Sequence, residues 1–389
     1  MATEPPNQAN GAAKSEQVVA SVLHGVKDLK IEYRQLGAPA AAEVQVAVQA
    51  TGLCGSDLHY FNHYRNGDII VREPLTLGHE SSGIVTAVGA DVASLQMGDR
   101  VALEVGLPCL ECELCRSGRY NICQALRFRS SAKSYPHFQG TLQEKINHPA
   151  VYCHKIPSSV SLQVGALLEP LGVAIHGCRR ASLPANSSVL IFGAGAVGLL
   201  CAAVCKVYGA KMVVIADIQA ERVEFAVQHR FADAKIEVPM KRPQAIDEKL
   251  AFAKEVAGLV RGQAGGEVDA VFELKDADLK MDEIDKRQST RPGGRIMLIG
   301  MGSPIQTLPI SAAALREIDL VGVFRYANTY EEAIKLVTSS NALLPDLSKL
   351  VTQTHKGFEG IPGAFAMAGR VKDDEGNLVL KVVVDTTDP

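Results

Sequence analysis

Short apolar stretches broken by turn residues dominate the chain from Val18 to about Pro157. Stretches such as VVASVL, DLKIEY and EVQVAVQAT are separated by Gly, Pro and Asn, the residues that favour turns. Their lengths and their content of β-branched residues are typical of strands. The pattern therefore predicts that this half of the chain is all-β.

The pattern changes after Pro170, where apolar strand-like runs alternate with long helical patterns. SVLIFGAGAVGLLCAAVCKVYGA and KMVVIADI are the clearest examples, and further strands are predicted at 268–273, 294–300 and 319–324. Strands that alternate with helices form a parallel sheet covered by crossover helices. The middle of the chain is therefore predicted to be α/β.

Beyond Tyr326 the chain has one helix-like stretch, TYEEAIKLVTSS, and later the strand-like LVLKVVVD. At the other end, residues 1–16 have almost nothing apolar to bury, so we expect a disordered tail there. A length of 389 residues exceeds what one hydrophobic core usually supports. Two domains are therefore expected after the tail.

Composition and charge narrow the functional class. Hydrophobic residues make up 47% of the chain and charged residues 21%, which is ordinary for a soluble globular protein. The formal net charge of −3 gives no general attraction to nucleic acid or to an anionic membrane. The chain has no long apolar run and no secretory signal, so a cytoplasmic location is expected. A small-molecule substrate is the better expectation, with neither nucleic acid nor membrane as partner.

A glycine-rich turn follows the first apolar strand of the α/β region. In VLIFGAGAVG, the residues Gly193, Gly195 and Gly198 form a G-x-G-x-x-G pattern between a strand and a helix, the arrangement that binds a dinucleotide pyrophosphate. Asp217 ends the next strand, where a carboxylate accepts hydrogen bonds from the adenosine ribose and repels a 2′-phosphate. Arg222 is expected at the adenosine edge. The pattern favours NAD over NADP, the alternative being an unliganded turn.

Four of the nine cysteines are clustered in GLPCLECELCRSGRYNIC. Four thiolates this close in sequence can form a closed tetrahedral zinc site. An iron–sulfur cluster and four unrelated thiols remain alternatives, although nothing else in the chain points to electron transfer. The expected structural zinc ligands are Cys109, Cys112, Cys115 and Cys123.

A second group of metal-binding residue types offers an incomplete ligand set. Cys54 lies in GLCGSDLHY, and His79 and Glu80 are adjacent in LGHESSG. Catalytic zinc has three protein ligands and keeps one position for water or substrate. Spacing alone does not exclude the alternative that Cys54 is a core thiol and His79 a buried structural histidine.

Residues 78–92, GHESSGIVTAVGADV, resemble the signature of the zinc-containing medium-chain alcohol dehydrogenase family. The four-cysteine segment and the glycine-rich turn follow in the order of that family, so the resemblance covers nearly all of the chain after residue 17. Within the family the chain is most similar to the sorbitol dehydrogenases, with L-arabinitol and xylitol dehydrogenases close behind. The stretches CGSDLHY, LEPLGVAIHGCRR and GVFRYANTY carry this similarity.

The resemblance implies a two-domain fold. A GroES-like β-rich catalytic domain would span 17–170 and be completed by 326–389, and a Rossmann-like domain that binds NAD would span 171–325. The active site would lie between them. Relatives in this family are commonly tetramers, so a homo-oligomer is expected.

The resemblance also assigns the catalytic zinc. Cys54, His79 and Glu169 would surround it, with Glu80 either a direct ligand or a close neighbour of the ligands. Sorbitol-type enzymes have a glutamate where other alcohol dehydrogenases have a second cysteine, so Glu169 favours a polyol substrate.

Further roles follow from matching positions in the family. Ser56 would take the substrate proton and hand it through the ribose to His59, while Glu169 would be catalytic from its place at the zinc. Asp57 would orient a ligand histidine. Contacts with the substrate are expected from Tyr60, Arg325 and Tyr326. Further contacts with NAD are expected from Val197, Ile299, Gly300, Val323 and Arg325.

One segment departs from the family pattern. Residues 271–291, VFELKDADLKMDEIDKRQSTR, are longer and more charged than in relatives, beside the expected cofactor site. Either a genuine divergence, one that tunes or abolishes NAD binding, or a faulty gene model would explain it. The alternative function is a catalytically silent protein that binds zinc and nucleotide. A zinc-free quinone reductase of the same superfamily is disfavoured by the two metal-binding groups.

Overall fold

The computed structural model describes residues 15–241, 243–274, 288–300 and 310–387. The expected tail over 1–16 lies outside them except for its last two residues, of which Glu16 already belongs to a strand. Most of the unusual segment 271–291 also lies outside the described residues, since only 271–274 and 288–291 are described.

The first part of the chain consists mainly of strands. Its strands are β1 (Glu16–Gly25), β2 (Asp28–Leu36), β3 (Glu43–Gly52), β4 (Arg65–Asn66), β5 (Ile69–Ile70), β6 (Leu75–Thr76), β7 (Glu80–Val88), β8 (Arg100–Leu103), β9 (Gly106–Leu107), β10 (Arg127–Phe128), β11 (Lys145–Pro149) and β12 (Cys153–Lys155). Its helices are α1 (Gly55–His63), α2 (Glu113–Arg116), α3 (Leu162–Ala166) and α4 (Leu168–Ala181).

Strands and helices then alternate. The elements are β13 (Ser188–Phe192), α5 (Ala196–Val207), β14 (Met212–Asp217), α6 (Ala220–Gln228), β15 (Ala234–Glu237), α7 (Ile246–Ala264), β16 (Val268–Glu273), β17 (Thr290–Leu298), α8 (Ile310–Ala314) and β18 (Asp319–Gly322). The last elements are α9 (Tyr330–Thr338), β19 (Val351–Lys356), α10 (Ile361–Ala368) and β20 (Lys381–Asp385).

Two large sheets organise these elements. A seven-stranded sheet has the order β12-β8-β7-β3-β20-β19, with β11 also paired to β3. The strand β20 pairs antiparallel with β3, so the end of the chain completes a sheet that the beginning of the chain starts.

The second sheet has six strands in the order β15-β14-β13-β16-β17-β18, and every neighbouring pair is parallel. Both of its faces are covered. One hydrophobic cluster packs α4 and α5 on the sheet, and a second packs residues of α7 on it. The prediction of a parallel sheet with crossover helices is therefore confirmed.

The prediction of an all-β first half is wrong at two places, because α1 and the four-residue helix α2 also lie in it. The segment after β3 forms the helix α1, which the sequence pattern does not reveal because its sequence, GSDLHYFNH, has no clear apolar stripe. Among the described residues, no helix is long and apolar enough to cross a membrane.

Candidate active site

Cys54, His79 and Glu80 form one buried group, in which one ligand atom of each residue lies within 4.8 Å of the others. Strand pairing brings them together, because Gly52 at the end of β3 lies opposite Glu80 at the start of β7. Gly52 is required here, since a Cβ at this position would lie 2.4 Å from Oε2 of Glu80. The sequence thus places a thiol, an imidazole and a carboxylate at one point of the first sheet.

Asp57 supports His79 from α1. Its Oδ1 lies 3.3 Å from Nδ1 of His79 and also accepts hydrogen bonds from the Gly78 amide and the Ser130 hydroxyl. Burial alone would raise the pKa of Asp57, but the His79 charge and these hydrogen bonds lower it below its ordinary value. Since Asp57 occupies the Nδ1 side of the ring, Nε2 is left for a metal.

Lys381 neutralises Glu80 from β20. Its Nζ donates to both Glu80 oxygens at 2.8 and 2.7 Å and to the Leu53 carbonyl at 3.1 Å. Burial opposes the charge of Lys381, but Glu80 and Cys54 raise its pKa above the ordinary value. Lys381 is not among the predicted site residues, although a lone lysine in the apolar strand LVLKVVVD is a signal that a buried partner exists.

Glu169 lies beside this group but is not part of it. It occupies the first turn of α4 and is buried, and its carboxylate is not among the atoms that share the 4.8 Å cluster. Burial raises its pKa to about 7, an effect that His79 and Lys381 reduce and Glu80 increases. The structure thus groups Glu80 with Cys54 and His79, and the ligand role of Glu169 stays a prediction.

The donor set suits zinc, since a thiolate, an imidazole and a carboxylate are the ligands of catalytic zinc sites. Among the predicted substrate residues, Arg325 lies close enough to Cys54 to interact with it electrostatically. Arg325 has a left-handed backbone with φ of 51°, and its guanidinium stacks 3.4 Å above the Phe128 ring. Burial lowers its pKa to about 10, while Tyr326, Glu169 and Tyr60 act in the opposite direction. Arg325 therefore lies close to Glu169 and to both tyrosines.

The two tyrosines differ in their hydrogen bonding. The Tyr60 hydroxyl accepts a bond from the Ala132 amide at 3.2 Å. The Tyr326 hydroxyl is buried without a well-aligned hydrogen bond, although it faces Glu169 closely enough to affect the pKa of that carboxyl. A buried hydroxyl in this state is suited to bind a polar substrate group.

Ser56 and His59, the predicted proton carriers, lie on α1 next to the metal-binding group and are both partly exposed. The structure places them on the helix that begins directly after Cys54 and also holds Asp57 and Tyr60. Their order in a proton relay stays a prediction.

The four cysteines of the predicted lobe also meet. The Sγ–Sγ distances are 3.4 Å for Cys112 and Cys115, 3.5 Å for Cys109 and Cys123, and 3.9 Å for Cys109 and Cys115. A tetrahedral zinc with Zn–S bonds of about 2.3 Å requires sulfur separations of roughly 3.8 Å. The amides of Glu111 and Cys112 also lower the pKa of Cys109 to about 6, which favours the thiolate.

Three hydrogen bonds join this lobe to the segment that carries Arg325. The Asn121 side-chain amide donates to the Phe324 carbonyl at 2.7 Å. The Asn328 amide donates to the Tyr120 hydroxyl at 2.7 Å, and the Asn328 side chain donates to the Gly118 carbonyl at 2.9 Å. The lobe therefore holds the segment 324–328 in place.

The glycine-rich turn has the geometry of a dinucleotide site. Gly193 has φ of 115°, and a Cβ at Gly198 would lie 1.9 Å from the Gly193 carbonyl, so both positions require glycine. The Asp217 carboxylate accepts the Ala194 amide at 2.7 Å and thereby fixes the turn. The Arg222 Nε is buried without a hydrogen-bond partner, as expected for a group at the adenosine end of a cofactor.

The other predicted cofactor residues lie at or just after the carboxyl ends of strands in the parallel sheet. Val197 is in the first turn of α5, the Ile299 and Gly300 amides donate to the Glu273 carbonyl, and Val323 follows β18. Ligands of open α/β sheets bind at this edge. The structure therefore brings these residues to the edge where a dinucleotide is expected.

Comparison with known proteins decides the family. Residues 40–158 match the family described as alcohol dehydrogenase GroES-like domain, and residues 196–339 match the zinc-binding dehydrogenase family. The chain belongs to the zinc-binding alcohol dehydrogenases. This confirms the predicted family, its GroES-like and Rossmann-like fold, and its character as a zinc-binding oxidoreductase with a dinucleotide cofactor.

Relatives within this family agree with the resemblance found in the sequence. The chain is 37% identical to a sorbitol dehydrogenase of Arabidopsis thaliana, over 89% of this chain and 90% of that protein. It is 38% identical to a probable D-xylulose reductase A of Emericella nidulans, over 90% and 92%. An Escherichia coli short chain alcohol dehydrogenase solved with NADH superimposes with a TM-score of 0.79 at 25% identity, over 95% and 99%.

Proposed function

We propose that this zinc-binding dehydrogenase oxidises a secondary hydroxyl of a polyol of the sorbitol, xylitol or L-arabinitol class to a ketose, with NAD as hydride acceptor. The relatives named sorbitol dehydrogenase and D-xylulose reductase support the substrate class. The observation that carries the proposal is the buried group of Cys54, His79 and Glu80 beside Arg325 and Tyr326.

The residues Cys54, His79 and Glu80 would hold the catalytic zinc, with Glu169 next to it. Bound zinc supplies a Lewis acid that makes a substrate hydroxyl easier to deprotonate. Asp57 fixes the His79 ring, and Lys381 fixes the Glu80 carboxylate. Ser56 and His59 would receive the substrate proton and pass it toward solvent.

Substrate selection would depend on buried polar groups. Tyr60, Arg325 and Tyr326 offer hydrogen bonds to several hydroxyls of one substrate. A simple alcohol leaves such groups unpaired, which enzymes of this kind discriminate against strongly. We therefore expect ethanol to be a very poor substrate.

NAD would bind along the carboxyl edge of the parallel sheet. Its pyrophosphate would lie at Gly195 and the start of α5, and its adenosine ribose at Asp217 with Arg222 beside it. The proposed domain limits follow the two sheets, with catalytic segments 17–170 and 326–389 and a cofactor domain over 171–325. The proposed assembly is a homotetramer, on the resemblance to the family alone.

The test is an assay of NADH formation with sorbitol, xylitol, L-arabinitol and ethanol, each repeated with NADP and with a zinc chelator. We expect turnover of at least one polyol with NAD, loss of turnover with the chelator, and little activity with ethanol. Comparable rates for ethanol and the polyols would contradict the assigned substrate class. No turnover by zinc-loaded protein that binds NADH would instead support the silent alternative, which nothing in the comparisons favours.

A further inference from the structure

A small cavity separates the four-cysteine lobe from the parallel sheet. It has a volume of about 70 Å³ and is lined by Arg119, Asn121, Ile122, His176, Arg180 and Phe324, together with the backbone after β18. A single water needs about 10–15 Å³ of such space, so the cavity has room for a larger polar ligand. It shares no residue with the group of Cys54, His79 and Glu80.

The lining is cationic. Among the residues described here, none that lines the cavity is acidic, and neither Arg119 nor Arg180 has a side-chain hydrogen bond or an ion pair. The Nε of Arg180 is buried and lacks a partner. The two guanidinium groups therefore lie at the cavity without a neutralising carboxylate.

Two neighbouring arginines each form an ion pair with a carboxylate. Arg179, one residue before Arg180, forms an ion pair with Glu332 and donates to the Asn328 carbonyl. Arg295 on β17 pairs with Asp319 at 3.4 Å. Arg119 and Arg180 therefore differ from these two neighbouring arginines, each of which has a carboxylate partner.

The imidazole in the cavity adds a donor. The side-chain amide of Asn121 lies 3.4 Å from Nε2 of His176, so that nitrogen accepts and Nδ1 carries the proton. Burial and the charges of Arg180, Arg179 and Arg119 lower the pKa of His176 to about 4, so the ring is neutral at neutral pH.

We propose that this cavity is a binding site for a small oxyanion of phosphate or carboxylate chemistry, held by the guanidinium groups of Arg119 and Arg180. A guanidinium presents paired N–H donors that match two oxygens of such an anion. A bound anion would remove the repulsion between two unpaired cations and satisfy the buried Nε of Arg180. Inorganic phosphate is the probe that fits the space and the donors.

The test measures phosphate binding by calorimetry to the full-length, zinc-loaded protein saturated with NADH, so that the dinucleotide site is blocked. Ionic strength is kept constant with chloride. We expect saturable binding that Arg119→Gln and Arg180→Gln each weaken about tenfold or more, the effect of losing a charge-assisted contact. Arg116→Gln is the matched control, because Arg116 is exposed in the same lobe but does not line the cavity.

Three results would overturn the proposal. They are the absence of saturable binding, an equal loss in Arg116→Gln, and unchanged binding in both cavity variants. Sedimentation of the same samples measures the oligomeric state, and so tests whether a second copy of the chain occupies the cavity instead of a free anion. If phosphate binds only when the protein dissociates into smaller assemblies, a second copy of the chain covers the cavity, and this fourth result also rejects the site for a free anion. Because Arg119 is exposed, its variant tests the site even if Arg180→Gln fails to fold.

Discussion

Lys381 is 4% exposed, and both Glu80 oxygens accept hydrogen bonds from its Nζ. Taking an ammonium and a carboxylate out of water costs several kcal/mol for each ion, and only close pairing offsets this cost. The Leu53 carbonyl uses a further proton of the ammonium. Each charge of the pair is therefore stable in the interior only while the other is present.

Replacing Lys381 with Met should destabilise the zinc-free protein by about 3–5 kcal/mol, because Glu80 is left as a buried, unpaired charge. We expect a smaller loss in zinc-loaded protein, where the metal compensates the carboxylate. Denaturant unfolding with and without zinc measures both values.

Lys372→Met provides the control for that measurement. Lys372 pairs with Glu221 at 2.6 Å, but both side chains are nearly half exposed. Exposed pairs of this kind contribute at most about 1 kcal/mol. Equal losses for the two lysine variants would show that the burial of the Lys381 pair has no special effect.

Cys54→Ser should reduce the zinc content from two ions per chain to one, because a serine hydroxyl does not ionise near neutral pH as a thiol beside a metal does. Activity should be lost while the four-cysteine lobe stays filled. Cys153→Ser is the control, since Cys153 is a buried thiol on β12 that lies outside both ligand groups. Elemental analysis checks both variants, and two zinc ions in Cys54→Ser would contradict the assigned ligand.

The residues of the metal-binding group could be predicted from the sequence because their chemistry is visible in local motifs. Cys54 is followed by Asp57 within one turn of helix, and His79 and Glu80 are adjacent. Lys381 could not be found in this way, because its contact with Glu80 depends on the pairing of β20 with β3. A local pattern shows that a segment is a strand but not which sheet the strand joins.

At the level of elements, Gly195 just before α5 and Gly198 in the first turn of α5 have different physical roles. A Cβ at Gly198 would lie 1.9 Å from the Gly193 carbonyl, whereas a Cβ at Gly195 would meet no protein atom within 4 Å. Gly195 also has an ordinary φ of −77°. The space beside Gly195 is therefore left for a ligand, and the space beside Gly198 is filled by the protein.

Gly195→Ala should weaken NADH binding by about tenfold or more, since the added methyl group prevents close approach of the pyrophosphate. Its free energy of unfolding without cofactor should change by less than about 1 kcal/mol, because no native contact is disturbed. Gly198→Ala should lower both stability and NADH affinity. Fluorescence titration with NADH and denaturant unfolding separate the two effects, and a large loss of stability in Gly195→Ala would refute this division of roles.

The helices and strands also differ in how well a sequence pattern predicts them. The strand β16 matches the predicted range 268–273, since its residues are apolar except for Asp269 and Glu273. The helix α1 was missed because only Asp57 and Tyr60 of its residues are buried, which leaves no apolar stripe. Its position depends instead on the Asp57 carboxylate, which accepts the Cys54 amide at 3.2 Å at the start of the helix.

For the whole molecule, the sequence pattern predicted the kinds of strands in the two large sheets. It did not predict which distant segments pair in them. Alternating strands and helices predicted the parallel sheet, because each crossover is local. The return of β20 to β3 joins residues more than three hundred positions apart, and only the family resemblance indicated it. The contacts between the lobe and the segment 324–328 also join residues far apart in the chain, and no motif in the sequence predicts them.

These contacts predict that the structural zinc controls the substrate segment. Cys112→Ser should empty the lobe, and we expect hydrogen exchange to rise roughly tenfold in both 109–123 and 324–328, since each lost hydrogen bond removes about 1 kcal/mol. The KM for the polyol should rise with the displacement of Arg325, while one zinc stays at the Cys54 group.

Glu111→Gln is the control, because Glu111 is an exposed lobe residue that is not a ligand. This variant should change none of these values. Unaltered exchange at 324–328 in a lobe without zinc would show that the segment holds its position independently.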